Sequence, residues 1–218
     1  MTDYQSLWAE TFSSLKESQI TAKGFKETDV RAGGRATKAH PNKEDEAWWH
    51  EHGPGMVEAW VKWRDESGYQ IAEIAPGVPA VEVSVTTQIS DLTVQMHIDR
   101  VMFMPSADGE ITRNNFVVLD LKSGKNPPKS DLQLAFYAAG LEKQFGWRPR
   151  WGTYWMAREG TIGYLVDLDM YPTFMIEDLL AKFKSARENK IFLPNMSHCP
   201  MCSVKDHCKY RNPELWEI

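Results

Sequence analysis

Asp120 and Lys122 stand two positions apart at the end of an apolar run, in the segment VVLDLKSGK of residues 117–125. If that run is a strand, successive side chains alternate between faces, so the acid and the amine project from the same side. A carboxylate and an ammonium at the end of a buried strand are costly unless they are paired or bound to a metal. Taken alone, an Asp-x-Lys triplet is common and equally describes a structural ion pair.

A second acid sharpens the chemistry. Three strand-like segments, AVEVSV, LTVQMHIDRVMFM and NNFVVLDL, follow one another in residues 80–121, and PSADGEITRNN between the last two carries a turn signal at Asp108-Gly109. With the turn at Gly109-Glu110, paired positions sum to 219 and Asp99 falls opposite Asp120. A turn at Asp108-Gly109 shifts the register by two, and a longer loop changes it further. In the aligned register the facing Cβ atoms are roughly 4.5–5.5 Å apart, close enough to require positive charge between the carboxylates. Lys122 supplies one charge and a divalent cation supplies more. Magnesium suits the site because it takes oxygen ligands and retains waters for chemistry. Such a metal would polarise a scissile phosphate and acidify a bound water, with Lys122 orienting that water or offsetting developing charge.

The elements that must hold these groups read as follows. Residues 4–18 form a short helix with Leu7, Phe12 and Leu15 among its apolar positions. Residues 19–46, basic and then acidic, read as a flexible polar segment. A helix is expected from near Pro54, burying Met56, Val57, Trp60, Val61 and Trp63. After the three strands come a helix from about Ser130 to Gln144, a strand at WGTYWMA, another at IGYLVDL and a helix from Thr173 to Asn189. The order predicts an α/β fold with a mixed sheet flanked by helices. In the helix from Ser130, Gln133 and Tyr137 share one face. Ser130-x-x-Gln133 is also a capping box, and Tyr137 also suits a packed core.

Three cysteines, Cys199, Cys202 and Cys208, fall within residues 196–211 with C-x2-C-x5-C spacing. A secreted disulfide scaffold uses more cysteines and spreads them, so the segment reads as metal-binding. Zinc could take three thiolates with His198 or His207, although His207 adjoins Cys208 awkwardly.

The totals bound the rest. A length of 218 residues with 42% hydrophobic and 25% charged residues suits one domain, 1–218, with a sizeable core. No apolar run reaches membrane-spanning length and MTDYQSLWAE is no signal peptide, so a cytoplasmic location without membrane association is expected. A net charge of −5 argues against a generally cationic nucleic-acid binder but leaves room for a local basic groove. Lys125 and Lys129 are phosphate-contact candidates, and Trp147, Trp151 and Trp155 could stack bases, though core packing is their default.

The run VEVSVTTQISDLTVQMHIDRV, then FVVLDLKSGK, then DLQLAFYAAGLE resembles the PD-(D/E)XK nuclease superfamily, in particular its RecB-like exonuclease branch, over about residues 50–210. The resemblance implies a restriction-endonuclease-like α/β/α core. It implies that Asp99 and Asp120 are metal carboxylates, Lys122 the catalytic lysine and Glu82 an auxiliary strand acid. Gln133 and Tyr137 then match the helix motif that contacts the nucleic-acid backbone or supports the lysine. The implied activity is magnesium- or manganese-dependent exonucleolytic digestion of single-stranded or duplex DNA ends in recombination, repair or replication. A replication or recombination protein is the implied partner, and phage origin is a family association. Where the family often has a glycine, the chain has Met96. The histidine of its G-x-x-x-H helix pattern does not follow Gly53 and Gly55, which leaves His50 or His52, or the oxygen of Glu58, as the third ligand; His50 is the expected one. The cysteines match the triplet of iron–sulfur relatives, in which a fourth cysteine near the N-terminus completes a [4Fe–4S] site. This chain has no fourth cysteine, so [4Fe–4S] and Zn2+ both stay open. Two other readings compete: a non-catalytic DNA-binding or scaffold protein with the same fold, and a structure-specific endonuclease.

Overall fold

The computed structural model describes residues 3–26, 44–106, 109–191, 195, 198–199 and 202–216. In chain order its elements are α1 (Tyr4–Lys23), α2 (Glu46–Ser67), β1 (Gln70–Ile71), β2 (Glu73–Ala75), β3 (Val78–Pro79), β4 (Val81–Ile89) and β5 (Leu92–Phe103). They continue with β6 (Phe116–Lys122), α3 (Leu132–Phe145), β7 (Trp151–Met156), β8 (Thr161–Ile162), β9 (Val166–Asp167) and α4 (Thr173–Glu188). The expected mixed α/β architecture is present.

The long strand β5 organises a seven-stranded sheet. Both β4 and β1 pair antiparallel along one of its edges and β6 along the other. β7 lies parallel to β6, and β8 and β9 pair with its far edge. Parallel neighbours need a crossover rather than a tight turn, and α3 is that crossover. It covers one face with Leu134, Ala138 and Leu141 packed on Val85, Met96 and Val118. On the other face Trp60 and Trp63 of α2 pack on Met102, Val117, Leu119 and Trp155. Val117 and Leu119 therefore point to α2 while Val118 points to α3, and alternation sends Asp120 and Lys122 toward α3 as well. Gly140 lets α3 come close: a Cβ there would lie 2.1 Å from the Met96 methyl.

Several boundaries depart from expectation. α2 begins at Glu46, eight residues before Pro54, because Asp45 caps it by accepting from Trp48 N–H at 2.9 Å. Pro54 sits inside the helix, buried, at the cost of one backbone hydrogen bond. The adjoining Gly53 admits the Trp8 indole of α1, which a Cβ would meet at 2.3 Å, so helix packing at this point offsets the lost bond. Asp3 caps α1, which runs on to Lys23 and stops at Gly24 in the left-handed region. Of the polar segment 19–46, residues 19–23 thus belong to α1 and Glu46 to α2, while 27–43 lie outside the described residues. The β4–β5 turn is made by Ser90 and Asp91, with φ of 49° and 57°. No two-residue turn joins β5 to β6. Their ladder ends at Phe103 opposite Phe116, and the connection includes a 3-10 turn at Arg113–Asn115.

Candidate active site

The β5–β6 register, with Arg100 opposite Leu119 and Val101 opposite Val118, is the one that aligns Asp99 with Asp120. The Asp99 carboxylate crosses to β6 and accepts the Leu121 backbone N–H at 2.6 Å, locking it beside Asp120. Strict alternation breaks here. Ile98 and Val101, three apart, both enter the core beneath α3, and so do Val83 of β4 and Ala80 just before that strand. Between the pairs Val81–Arg100 and Val83–Ile98 lies Glu82 with φ of 50°, a left-handed backbone costing on the order of 1 kcal/mol for a residue with a Cβ. The irregularity in both strands coincides with the two acids.

Asp120 is 2% exposed and is satisfied almost wholly from α3. Its Oδ1 accepts Gln133 Nε2 at 2.8 Å and the Tyr137 hydroxyl at 3.2 Å. Its Oδ2 is buried and receives no hydrogen bond, although Lys122 Nζ stands 2.5 Å away as an ion pair. The contact is one of charge rather than of aligned hydrogen bonding. Lys122 Nζ donates instead to Gln133 Oε1 at 2.9 Å and lies 5.6 Å from the centre of the Tyr154 ring. Gln133 therefore presents its carbonyl to the lysine and its amide to both Asp120 and Tyr137, the latter at 2.7 Å. The alternative role of Ser130 and Gln133 as a capping box is not taken up: Ser130 Oγ accepts Leu132 N–H at 3.2 Å, and the Gln133 side chain is committed to the acid–lysine pair.

The electrostatics follow from burial. Burial raises the Asp99 pKa above the ordinary carboxylate value, and the charges of Asp120 and Glu82 raise it further, against the lowering effect of the Leu121 N–H. Burial also pushes the Tyr137 phenol up to about 12, with Asp120 and Asp99 adding to it, so Tyr137 stays a neutral donor at physiological pH. Two crowded carboxylates, one with a buried oxygen lacking a hydrogen bond, form a donor set that fits a hard divalent cation, since magnesium binds through one or two carboxylates plus substrate phosphate.

The remaining predicted residues are placed differently. Glu82 is exposed and pairs with Arg100 at 3.1 Å. His50 packs on the Phe12 ring of α1 at 4.7 Å and lies 3.8 Å from Glu46, one turn earlier in α2. His52 stacks on Trp48 at 4.2 Å. Among the described residues no three His, Cys, Asp or Glu side chains gather in an arrangement able to hold a metal ion. Cys199, Cys202 and Cys208, among those residues, are free and half-buried. A backbone bond three positions long starts from each cysteine: Cys202 N–H reaches Cys199 O at 3.3 Å, Lys205 N–H reaches Cys202 O at 3.3 Å and Arg211 N–H reaches Cys208 O at 3.0 Å. Trp155 is core, while Trp147 packs on Phe116 and Phe145, so the default for these indoles holds. Trp151 donates to Asn114 O at 3.0 Å. Sequence reasoning missed Tyr154, whose only signal is its position opposite Asp120 in the parallel register.

Comparison with known proteins gives this arrangement its class. Residues 8–209 match the family model of the PD-(D/E)XK nuclease superfamily, and the chain belongs to that superfamily. The chain is also similar to the Gene 69 protein of Mycobacterium phage D29, at 28% identity over 199 residues, covering 80% of this chain and 69% of the relative. No described helix is long and apolar enough to cross a membrane.

Proposed function

We propose that the chain is a metal-dependent deoxyribonuclease of the RecB-like branch, one nuclease domain over 1–218, that digests DNA from its ends in phage recombination, repair or replication. The observation that carries the reading is the single bonded unit of Asp120, Lys122, Gln133 and Tyr137 with Asp99 beside it. A structural ion pair does not need Gln133 to bridge acid and amine, nor a second carboxylate beside the first.

Asp99 and Asp120 would hold magnesium or manganese, which when bound supplies positive charge for the phosphate and acidifies a water. Lys122, 26% exposed, is the charged group open to substrate. Its ammonium would hold the attacking water in line and offset charge on the phosphoryl oxygens. Gln133 keeps that ammonium in place, and Tyr137 keeps Asp120 from rotating. Water adds to phosphorus, the phosphorus–oxygen bond breaks, and the water's proton ends on the departing sugar oxygen. The three cysteines, with local turns already set, are proposed to hold either a [4Fe–4S] cluster or zinc as a structural clamp. Metal analysis and the visible spectrum decide between them, and a metal-free, colourless protein rejects both.

The test is cleavage of end-labelled linear and covalently closed circular DNA with magnesium or manganese, using wild type, Asp120→Asn and Lys122→Ala. Linear DNA digested to nucleotides by wild type alone is the expected result. Cleavage of circles would replace exonuclease by endonuclease. Equal cleavage by all three proteins would discard the site, and tight binding without cleavage would leave the scaffold reading.

A further inference from the structure

Beyond Lys122 the chain builds a second charged cluster that the acid–lysine centre does not use. Ala157 N–H bonds Lys122 O at 2.9 Å, so the next residues of each strand, Ser123 and Arg158, leave the sheet together at the carboxyl ends of the parallel pair β6–β7. The carboxyl ends of parallel strands are where open α/β sheets take ligands. Arg158 Nε donates to Ser123 O at 2.7 Å, and its guanidinium lies 4.5 Å from the Trp48 ring centre and 5.4 Å from that of Trp49. It is 16% exposed and held in one orientation before any anion is considered. Lys125, 73% exposed, stands beside it on the loop after β6. Both cations converge on one carboxylate: Lys125 Nζ lies 3.2 Å from Glu44 Oε1 and Arg158 Nη2 lies 2.8 Å from Glu44 Oε2.

We propose that Lys125 and Arg158 form a binding site for a nucleic-acid backbone phosphate neighbouring the one at Lys122, and that Glu44 occupies this site as a stand-in anion until the nucleic acid displaces it. The inference rests on the nuclease reading. One cation per carboxylate oxygen is the pattern that two non-bridging phosphate oxygens would meet. Arg158 does not need Glu44 for its position, because Ser123 and the two indoles already fix it, so exchange of the anion leaves the donors prepared. Burial would raise the Glu44 pKa, but the two cations more than reverse this, so the stand-in is ionised whenever the enzyme works. A resident anion must be displaced before DNA binds, which lowers apparent affinity in proportion.

The experiment is fluorescence anisotropy of a labelled oligonucleotide in EDTA over a salt series, with wild type, Glu44→Gln, Lys125→Ala and the double variant. Glu44→Gln should bind about two- to fivefold tighter, the range that loss of one exposed ion-pair competitor allows. Lys125→Ala should bind more weakly, with a salt slope shallower by roughly 0.7–0.9. The double variant should lose most of the Glu44→Gln gain, because the two residues share one site. Unchanged or weaker binding by Glu44→Gln at native melting temperature overturns the site. If that variant unfolds, Lys125→Ala decides alone, and an unaltered affinity and slope overturn the proposal. A wild type that cleaves DNA while these variants match it removes the phosphate site and leaves the nuclease reading. A wild type that neither binds nor cleaves DNA removes both.

Discussion

Two short motifs, Asp-x-Lys on β6 and Cys-x2-Cys-x5-Cys after α4, offer equally suggestive spacing, yet the structure treats them differently. The first is surrounded by partners brought from far along the chain: Asp99 from β5, Gln133 and Tyr137 from α3, and Tyr154 from β7. The second is shaped by turns within its own segment, with Asn212 Nδ2 bonding Lys205 O and Asp206 O, and it gathers no ligand set among the described residues. The difference is one of preorganisation. A strand ladder and a packed helix fix charged groups before ligand arrives, whereas a chain of turns needs the metal itself to gather the thiolates.

The largest effect expected from this contrast is on cleavage. Lys122→Ala or Asp120→Asn should lower single-turnover cleavage by about 10²–10³-fold or more, the scale for removing a preorganised electrostatic group. Gln133→Ala should cost about 10- to 100-fold, as loss of an outer-shell partner does, with weaker magnesium dependence as the accompanying readout. Wild-type activity in Gln133→Ala would mean that the bridge between Lys122 and Asp120 is not needed.

Asp99→Asn tests the crowding of carboxylates. Because its folded pKa is raised, Asp99 contributes stability that is fully present below its unfolded value near 3.8 and is lost as pH rises through the folded value. At neutral pH the ionised group opposes folding of the metal-free protein. Asp99→Asn should therefore raise the metal-free melting temperature at pH 7, by about 2–4 °C per 1 kcal/mol relieved, while removing the stabilisation that magnesium gives the wild type. A lowered melting temperature would show that the Leu121 hydrogen bond outweighs the repulsion. The smallest effect on chemistry belongs to the cysteines. Replacing Cys199, Cys202 and Cys208 by serine should remove bound iron or zinc and lower stability, yet leave cleavage per folded molecule within about threefold of wild type, since the bonds described for the acid–lysine unit come from β5, β6 and α3. A hundredfold loss at full folding would join the two regions into one site.

Much of the centre was legible because strand chemistry is local. The apolar run before Asp120, the two-residue spacing to Lys122 and the four-residue spacing from Gln133 to Tyr137 follow from backbone periods alone. The register aligning Asp99 with Asp120 is one of those the sequence permits, although a longer connection with a 3-10 turn, not a two-residue turn, produces it. The start of α2 was missed because Pro54 resembles a first-turn proline, while the competing signal, Asp45 as a cap, becomes decisive only with Trp8 packed at Gly53. Arg158 carried no signal. Its partners Trp48, Glu44 and Ser123 lie 110, 114 and 35 positions away.

By itself, then, the sequence determined which residues could carry acid–base and metal chemistry on this chain, and that a strand and a helix would present them in pairs, because alternation and helical pitch are properties of the backbone. The tertiary structure alone decided that Gln133 bridges Lys122 to Asp120 instead of capping its helix, that Glu82 pairs with Arg100 and His50 packs on Phe12, and that Glu44 lies between Lys125 and Arg158. Those choices depend on which groups are left buried without partners once sheet and helices close, a quantity no local spacing contains.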